Sequence, residues 1–418
     1  MHRWQQKSLG EFIELKRGYD LPSRDRAPGE FPLVTSSGPT EFISQSKAKG
    51  PGVVTGRYGT VGQVFYVQKD FWPLNTALYV RDFRGNNPRF VYYFLHGIDW
   101  EKFNDKSGVP GINRNDVHRE PVFVPPLDQQ KQIVAVLGAL DDKIELNRRM
   151  NETLEAMAQA IFHDWFVDFG PVRRKLEGAT DPVVVMGGLM PDPVRAAEVA
   201  GLFSGALGDD NLPLGWSERP IGDLTEIAGG STPSTADESL WWPAEHRWAT
   251  PKDLSNMSDL ALFDTGRRIS SAGLLKITSG LLPVGTVLLS SRAPIGYLAI
   301  AQEPVAINQG FIALKRTPNF GSAYLYLWCK VNMEAILANA NGSTFQEISK
   351  KNFRPITSAV PDDSAICRAF GDLVEPMFAR IVSAAAENRT LAETRDYLLP
   401  RLMSGEVRVK DLHSQVAE

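Results

Sequence analysis

The stretch that decides the fold runs from Leu127 to Phe166 and reads LDQQKQIVAVLGALDDKIELNRRMNETLEAMAQAIFHDWF. Positions that recur in it at alternating steps of four and three are Ile133, Leu137, Leu140, Ile144, Asn147, Asn151, Leu154, Ala158 and Ile161. This spacing places them on one face of a helix and is typical of the seam between two packed helices. We therefore predict one helix, roughly 54–60 Å long at about 1.5 Å per residue.

The same seam returns after 237 residues, between Asp363 and Met403. Its members are Phe370, Val374, Met377, Ile381, Ala384, Asn388, Leu391, Arg395 and Leu398. Two long helices of matching phase are therefore predicted, each closing one half of the chain. Pro376 lies inside the second helix and is expected to kink it or split it in two, because proline lacks the N–H that a helix interior requires.

The remaining sequence also repeats. Trp4 and Gly10 match Trp216 and Gly222 at an offset of 212. Each half then passes through a glycine turn, short strand-like runs and a helix. The runs are 52–55, 62–67 and 74–80, with a helix from Arg89 towards Phe103, and then 285–290, 296–301 and 305–314, with a helix over 322–337. Each half ends in a proline-bearing strand (121–125 and 354–361).

This order predicts a mixed α/β (α+β) fold with two tandem globular domains, two long helices and an internal pseudo-twofold repeat. The boundaries are a first domain over 1–126, a helix over 127–170, a linker over 171–215, a second domain over 216–361, and a helix with a tail over 362–418. The linker is rich in Gly, Pro and Ala. Residues 186–191 and 205–211 are expected to be irregular, with one short helix over 193–203.

Composition sets the broad class of the protein. At 418 residues the chain exceeds one ordinary core, and its hydrophobic content of 43% is that of a globular protein. No apolar run has the length of a membrane span, and the first residues lead into no signal peptide. The two cysteines, Cys329 and Cys367, form no disulfide framework or zinc cluster. A reducing cytoplasm is the expected location.

Charge is unevenly distributed along the chain. The net charge of −4 argues weakly against a nucleic-acid partner. Residues 1–126 carry 17 Lys and Arg against 13 Asp and Glu, residues 216–361 carry 13 against 12, and the remainder carries 15 against 24. This distribution of charge fits globular domains that bind phosphate and helices that bind protein. Acidic helices that are merely solvated would explain it equally well.

Catalytic motifs are missing from the sequence. It contains no Gly-x4-Gly-Lys-Ser/Thr loop, no Gly-x-Gly-x-x-Gly turn and no Asn- or Asp-Pro-Pro-aromatic tetrapeptide of the kind that adenine methyltransferases use. The six histidines do not pair at ligand spacing. Asp141 and Asp142 point about 100° apart on a helix, which favours a solvated face over a metal site. A non-catalytic chain without a metal is expected.

Polar residues in loops are the candidates for DNA contacts, because these residue types hold phosphates and read base edges. In the first half they are Arg17, Tyr19, Arg57, Tyr58, Asn113, Arg114 and Asn115. In the second half they are Ser231, Thr232, Arg292, Asn308, Gln309, Ser343, Thr344, Gln346, Lys350 and Lys351. An ordinary surface or turn role is the alternative for each one.

The repetition of such loops favours a shared function. The loop around Arg57 matches that around Arg292 with a shift of one residue, Asn75 is paired with Asn308, and Ile112 with Ile348.

Several segments resemble the specificity subunits of type I restriction–modification systems. Residues 126–134, 140–157 and 161–169 are similar to the central conserved region of that family. Gly229–Pro233 resembles the glycine turn that begins its target recognition domains, and Arg401–Glu406 resembles its distal conserved region. The second copy lacks the Leu-x-x-Gln opening, and Gly170 stands where the family often has Asp.

The resemblance implies a DNA-recognition subunit in which each of two target recognition domains binds one half of a split site in double-stranded DNA. Two antiparallel helices would set the spacer and dock methyltransferase subunits, and restriction–translocase subunits would complete the complex. S-adenosylmethionine, ATP and magnesium are expected in those partners, and no cofactor in this chain. The candidates for methyltransferase docking are the charged residues Asp141, Asp142, Lys143, Arg148 and Arg149.

Three alternatives stay open at the level of sequence. The chain could serve a fused methyltransferase–nuclease system, act as a stand-alone DNA-binding regulator, or be a cryptic nuclease or methyltransferase. The sequence does not specify the recognised bases.

Overall fold

The chain divides into two compact units in the computed structural model, which describes residues 4–103, 111–255, 257–342 and 346–411. Unit 1 comprises Met1–Glu145 and Asn388–Glu418, and unit 2 comprises Leu146–Glu387. Both long helices therefore contribute residues to both units.

Unit 1 is built from short strands around one helix. Its strands are β1 (Gln5–Ser8), β2 (Glu14–Arg17), β3 (Pro28–Thr35), β4 (Gly38–Ile43), β5 (Gly52–Gly56), β6 (Val64–Val67), β7 (Trp72–Pro73), β8 (Ala77–Asp82) and β9 (Pro121–Val124). Its short helices are α1 (Leu9–Phe12), α2 (Pro88–His96) and α3 (Arg114–His118). The sheets have the orders β2-β8-β5-β6, β4-β3-β7 and β1-β9.

The core of unit 1 lies where α2 packs on the four-stranded sheet. Asn87 caps α2 by accepting from the N–H groups of Arg89 and Phe90, and Pro88 occupies the first turn. Phe90 and Phe94 contact Phe12 edge-on. Burying such side chains stabilises the unit by roughly 1.5–3 kcal/mol each.

The long helices are α4 (Leu127–Phe166) and α14 (Ala365–Ser404), each of 40 residues. Their pairing is antiparallel within each unit. In unit 1 Arg395 binds Asp141 at 2.9 Å. In unit 2 the Nδ2 atom of Asn147 donates to Glu387 at 2.8 Å, and the ring centroids of Phe162 and Phe370 lie 5.7 Å apart. The predicted seam is confirmed, because its members are buried or half-buried in both helices.

Pro376 does not split the second helix, which contradicts that alternative of the sequence prediction. α14 continues through this position. The proline itself is exposed, whereas its neighbours Val374, Phe378 and Ile381 are buried in the unit 2 core. That packing holds the turn in helical form although proline cannot donate to the preceding turn.

The linker forms α5 (Gly170–Leu176), α6 (Pro182–Val185) and α7 (Pro193–Leu202). The expected short helix is confirmed, and residues 186–191 and 205–211 are irregular as expected. The helices α5 and α6 were not predicted. Asp181 and Asp192 cap α6 and α7, each with a proline in the first turn. Phe203 packs edge-on against Trp165 with centroids 5.2 Å apart, so the linker is part of the unit 2 core.

Unit 2 repeats the plan of unit 1 with additional strands. Its strands are β10 (Trp216–Pro220), β11 (Ile227–Gly229), β12 (His246–Ala249), β13 (Ala261–Leu262), β14 (Arg268–Ile269), β15 (Val287–Ser291), β16 (Ile295–Ala301), β17 (Ala306–Ile307), β18 (Phe311–Leu314) and β19 (Thr357–Pro361). Its other helices are α8 (Ile221–Leu224), α9 (Pro251–Ser255), α10 (Ser271–Leu274), α11 (Ser322–Val331), α12 (Met333–Ala338) and α13 (Lys350–Phe353). The sheet orders are β11-β18-β15-β16-β13, β14-β12-β17 and β10-β19.

Two predicted elements of unit 2 are interrupted. The run 305–314 is divided into β17 and β18, because the side chain of Asn308 accepts from the N–H of Gly310 at 2.9 Å and forms a turn. The helix 322–337 is divided into α11 and α12 at Asn332, whose side chain donates to the carbonyl of Trp328 at 2.9 Å.

Candidate nucleic-acid interface

The glycine turn of unit 1 is held against the loop that precedes β8. Tyr19 donates its N–H to the carbonyl of Pro73 at 2.8 Å. A Cβ atom on Gly18 would lie 2.1 Å from the carbonyl oxygen of Leu74, so only glycine fits there. The Tyr19 hydroxyl lies 3.0 Å from that of Tyr79. Tyr19 is therefore half-buried and structurally engaged, whereas Arg17 is exposed beside Asp20.

Arg57 and Tyr58 join the same loop. Both donate their N–H groups to the carbonyl of Thr76, at 3.0 and 3.2 Å, and the carbonyl of Arg57 accepts from Ile112 at 3.1 Å. The Arg57 guanidinium stacks over the Tyr58 ring at 4.4 Å. Within residues 4–103 and the other described ranges, no carboxylate pairs with Arg57, so its charge is available to an anionic partner.

Three further candidates follow Ile112. Asn113 caps α3 by accepting from the N–H of Asn115 at 3.0 Å, so its side chain has a structural role. Arg114 and Asn115 are exposed. We call residues 18–20, 57–60, 74–77 and 111–115 the unit 1 loop cluster.

Unit 2 contains an equivalent arrangement. Ser231 donates its N–H to the carbonyl of Ile307 at 3.2 Å, and a Cβ atom on Gly230 would lie 1.8 Å from that same oxygen. The hydroxyl of Thr232 donates to the Gln309 side chain at 2.6 Å. Ile348 donates its N–H to the carbonyl of Ser291 at 3.0 Å. We call residues 230–232, 290–292, 307–310 and 346–351 the unit 2 loop cluster.

The polar residues of the unit 2 loop cluster differ in exposure and in whether an ion pair already engages their side chains. Arg292 lies 3.7 Å from Glu347 and is partly neutralised. Lys350 extends over Gly229, with Nζ 2.9 Å from the position of a Cβ there. Gln346 and Lys351 are exposed. Ser343 and Thr344 lie outside the described residues.

The hydrogen bonds establish which residues are equivalent in the two units. Tyr19 bonds to Pro73 in unit 1 and Ser231 bonds to Ile307 in unit 2, so Pro73 and Ile307 are equivalent. The two units are therefore offset by 234 residues in this loop, and Asn75 corresponds to Gln309. The sequence pairing of Asn75 with Asn308 is therefore wrong by one residue. The sequence pairing matched two asparagines by residue type, whereas the backbone hydrogen bonds determine which positions are equivalent. The one-residue shift at Arg292 is confirmed. Tyr58 forms an isolated β-bridge with Gly111 and Arg292 forms the equivalent bridge with Glu347, so Arg292 corresponds to Tyr58.

Sequence reasoning missed a stack of aromatic rings and arginine in unit 2. The Arg267 guanidinium lies 3.9 Å from the Trp241 ring centroid and 5.1 Å from that of Trp248. The indole N–H of Trp248 donates to the carbonyl of Ser231 at 3.2 Å, so the stack supports the glycine turn. The tryptophans at 241, 242 and 248, which the sequence interpretation left unused, were the available signal. Trp242 is 75% exposed.

Removal of the Arg57 side chain is expected to weaken DNA binding by about 1–3 kcal/mol if its guanidinium reads a guanine edge. The comparison is Arg292→Ala, which should have a smaller effect because Glu347 already pairs with that charge. Titrations at one fixed salt concentration would measure both. An undiminished affinity in Arg57→Ala would exclude this residue from the interface.

His118 and Arg354 bond from equivalent places to β2 and β11, the strands that precede the two glycine turns. The Nε2 atom of His118 accepts from the N–H of Leu15 at 2.9 Å, whereas Arg354 donates to the carbonyl of Ile227 at 3.2 Å. Burial lowers the pKa of His118 below its ordinary value of 6.5, and the positive charges of Arg114 and Arg84 also lower it. Neutral His118 is the form that can accept this bond.

Unit 1 is consequently expected to lose about 1 kcal/mol of stability as the pH falls below 6.5. The folded-state pKa is lowered, so the unfolded chain takes up the proton first. The stabilisation is complete above pH 6.5 and is lost as the pH falls through the folded-state pKa. The protection factor of the Leu15 amide would report it. His118→Gln is the control, because its amide oxygen accepts without titrating, and an equal pH response in both proteins would contradict this role.

No group of three or more His, Cys, Asp or Glu side chains that could hold a metal occurs in the part of the chain that the structure describes. In the same part, no helix is long and apolar enough to cross a membrane.

The match to a known protein family covers both copies of the internal repeat. A family model described as "Type I restriction modification DNA specificity domain" matches residues 1–156 and 213–365, which is more than half of the chain. The chain belongs to the specificity-subunit family of type I restriction–modification systems. Its role is DNA sequence recognition, and it is not a catalytic subunit.

Similar proteins agree with the family assignment. The HindI specificity subunit of Haemophilus influenzae is 26% identical over 359 residues, which cover 77% of each chain. The MjaIX specificity subunit of Methanocaldococcus jannaschii is 34% identical over 172 residues, 39% of this chain and 40% of that protein. The crystal structure of the type I S subunit from M. genitalium has the same fold, with a TM-score of 0.61, 15% identity and 96% coverage of both chains.

The residues predicted to dock a methyltransferase are not equally available in this specificity subunit. Asp141 accepts from the Tyr93 hydroxyl at 2.5 Å and pairs with Arg395. Asp142 pairs with Arg89 at 2.8 Å. Lys143 is half-buried, and Arg148 and Arg149 are exposed. Asp141 therefore joins α14 to α4, whereas Asp142 joins α2 to α4. Docking through this set stays a prediction.

Proposed function

We propose that each loop cluster reads one half of a bipartite DNA site. The observation that carries the proposal is that one backbone scaffold presents different functional groups in the two units. The equivalent pairs are Arg57 and Ser291, Tyr58 and Arg292, and Asn75 and Gln309. Because base edges are distinguished by their hydrogen-bond donors and acceptors, unlike groups on like scaffolds select unlike half-sites.

The long helices set the distance between the half-sites in this proposal. Each spans about 60 Å at about 1.5 Å per residue and is divided between the two units. That length corresponds to a centre separation on the order of 18 base pairs at most, at ~3.4 Å per base pair. Antiparallel pairing through a seam containing Asn147 and Asn151 fixes the register.

The catalytic work of the complex belongs to other subunits. Methyltransferase subunits that dock on this chain supply S-adenosylmethionine chemistry, and restriction–translocase subunits supply the ATP- and magnesium-dependent steps. Since the substrate is cellular and invading DNA, we place the complex in the cytoplasm.

Replacing residues 1–126 with the corresponding domain of another specificity subunit is expected to change one half-site and leave the other intact. The reason is that the unit 2 loop cluster is formed wholly by residues of unit 2. Methylome sequencing of cells that express the hybrid with its modification subunit would show the result. The reciprocal exchange of residues 216–361 is the matched control, and a change in both half-sites in either hybrid would contradict the modular arrangement.

A further inference from the structure

Arg267 presents an exposed, stacked guanidinium at the edge of the three-stranded sheet of unit 2, β14-β12-β17. The residue directly precedes β14, and its carbonyl accepts from the N–H of Trp248 in β12 at 3.1 Å and from the Thr265 hydroxyl at 2.6 Å. Its guanidinium carbon lies 3.9 Å from the Trp241 ring centroid and 5.1 Å from that of Trp248. The backbone therefore ties Arg267 to the sheet, while the side chain remains at the surface.

The arginines nearest to it in the sheet are neutralised by an acidic side chain. Arg247 and Arg268 are cross-strand partners, and they lie 3.2 and 2.9 Å from Asp264. Because side chains alternate along a strand, Trp248 and its stack with Arg267 lie on the opposite face. In the part of the chain that the structure describes, the Arg267 guanidinium has no carboxylate partner and donates no hydrogen bond. Its N–H donors are therefore available to a bound ligand.

The stack is joined to the glycine turn of the unit 2 loop cluster. The indole N–H of Trp241 donates to the carbonyl of Ser234 at 2.9 Å, and that of Trp248 donates to the carbonyl of Ser231 at 3.2 Å. The two rings pack edge-on with centroids 5.2 Å apart. A guanidinium that already lies on an aromatic face loses less freedom when it binds, because its plane is set in advance. Arg267 is thus held beside the loops to which the proposed function assigns DNA contacts.

Strand pairing shows which position of unit 1 corresponds to this part of the sheet. Leu33 of β3 pairs in parallel with Trp72, and Trp248 of β12 pairs in parallel with Ala306. Trp72 and Ala306 are equivalent at the offset of 234 residues that the glycine turns establish. Leu33 therefore corresponds to Trp248.

Unit 1 has an acidic residue where unit 2 has Arg267. Glu41 of β4 is the antiparallel partner of Leu33, and Arg267 occupies the corresponding place opposite Trp248. Glu41 forms an ion pair with Arg26. The two units therefore carry opposite charges at this position, and the positive charge of unit 2 is the one that no described carboxylate neutralises.

The stacked arginine of unit 1 lies in a different loop. It is Arg57, whose guanidinium lies 4.4 Å from the Tyr58 ring centroid, and unit 2 has Ser291 at the position of Arg57. Each unit thus presents a stacked arginine that has no carboxylate partner among the described residues. The two arginines come from different parts of the shared scaffold, which fits two half-sites of different sequence.

We infer that Arg267 reads a guanine in the half-site of unit 2, with its guanidinium plane set by Trp241. This inference rests on the proposed function, because it assumes that the loops of unit 2 read DNA. Arginine binds O6 and N7 of guanine in the major groove through a pair of N–H groups, and this is the commonest specific contact to a base. The contact requires the guanidinium to lie in one plane with its edge free, and the stack provides both conditions.

Arg267→Ala and Arg267→Lys are compared in the full chain together with its modification subunit. Duplexes with the recognised site, and with each single base change in the unit 2 half-site, are titrated at one fixed salt concentration. We expect both variants to lose roughly 5- to 150-fold of the preference for guanine at one position and to keep the other preferences. Lysine retains the charge but lacks the planar fork of donors, so it should not restore this preference.

Arg268→Ala is the matched control, because this adjacent arginine already pairs with Asp264. It should leave every base preference unchanged. Thermal melting establishes that the three variants fold, which we expect because Arg267 bonds to the sheet through its backbone carbonyl.

Three results would overturn the inference. One is equal weakening of all duplexes by Arg267→Ala with recovery in Arg267→Lys, which would assign the side chain to a phosphate. Another is unchanged discrimination in both folded variants. The third is a unit 2 half-site that contains no G·C pair. Failure of the proposed function gives a separate result, because the unaltered complex would then show no base preference in the half-site assigned to unit 2.

Discussion

Seven residues added to both long helices are expected to lengthen the spacer of the recognised DNA by about 3 base pairs and to leave both half-sites unchanged. A heptad adds about 10 Å of helix, which is close to three steps of ~3.4 Å along the duplex. The insertions are placed after Glu145 and after Asn388. These two points lie opposite each other in the helix pair, because Asn147 contacts Glu387. A heptad preserves the seam, since the apolar stripe repeats with that period.

Methylation mapping of cells carrying the double insertion would measure the new spacer. An insertion in α4 alone is the control, because it shifts the seam of one helix against the other and should abolish methylation. If the double insertion altered the recognised bases and kept the spacer, the helices would not be the element that sets the distance.

Gly230→Ala is expected to abolish recognition of the half-site that unit 2 reads. The added methyl carbon would lie 1.8 Å from the carbonyl oxygen of Ile307, and that backbone also holds Ser231. Relief of the clash must separate the turn from β17 and displace Thr232 from Gln309. Overpacking of this kind costs about 1–3 kcal/mol, or more where backbone must move.

Thermal unfolding and DNA binding would be measured together for this variant. Gly371→Ala in α14 is the matched control, because nothing lies within 4 Å of its added carbon. It should leave binding intact and raise stability by roughly 0.5–1 kcal/mol, since alanine favours a helix over glycine. Normal half-site recognition by Gly230→Ala would show that the glycine turn does not position the interface.

The two units show why a duplicated scaffold can carry two specificities. Backbone hydrogen bonds such as Tyr19 to Pro73 and Ser231 to Ile307 hold the loops and do not depend on side-chain identity. Side chains at the loop tips are thus free to differ, as Arg57 and Ser291 do. The free charge of Arg57 contrasts with the pairing of Arg292 by Glu347, so the units are also expected to differ in how strongly salt weakens their DNA contacts.

The sequence by itself determined the long helices, the internal repeat and the family. A helical seam is encoded by residues three and four apart, so the helix predicted over 127–170 begins at its observed first residue, Leu127, and ends four residues beyond its observed last residue, Phe166. The tertiary structure alone decided that Asn75 matches Gln309, that α14 passes through Pro376, and that α7 packs into the core of unit 2. These features depend on contacts between residues far apart in sequence, such as Phe203 with Trp165, and a local pattern of residue types does not specify such partners.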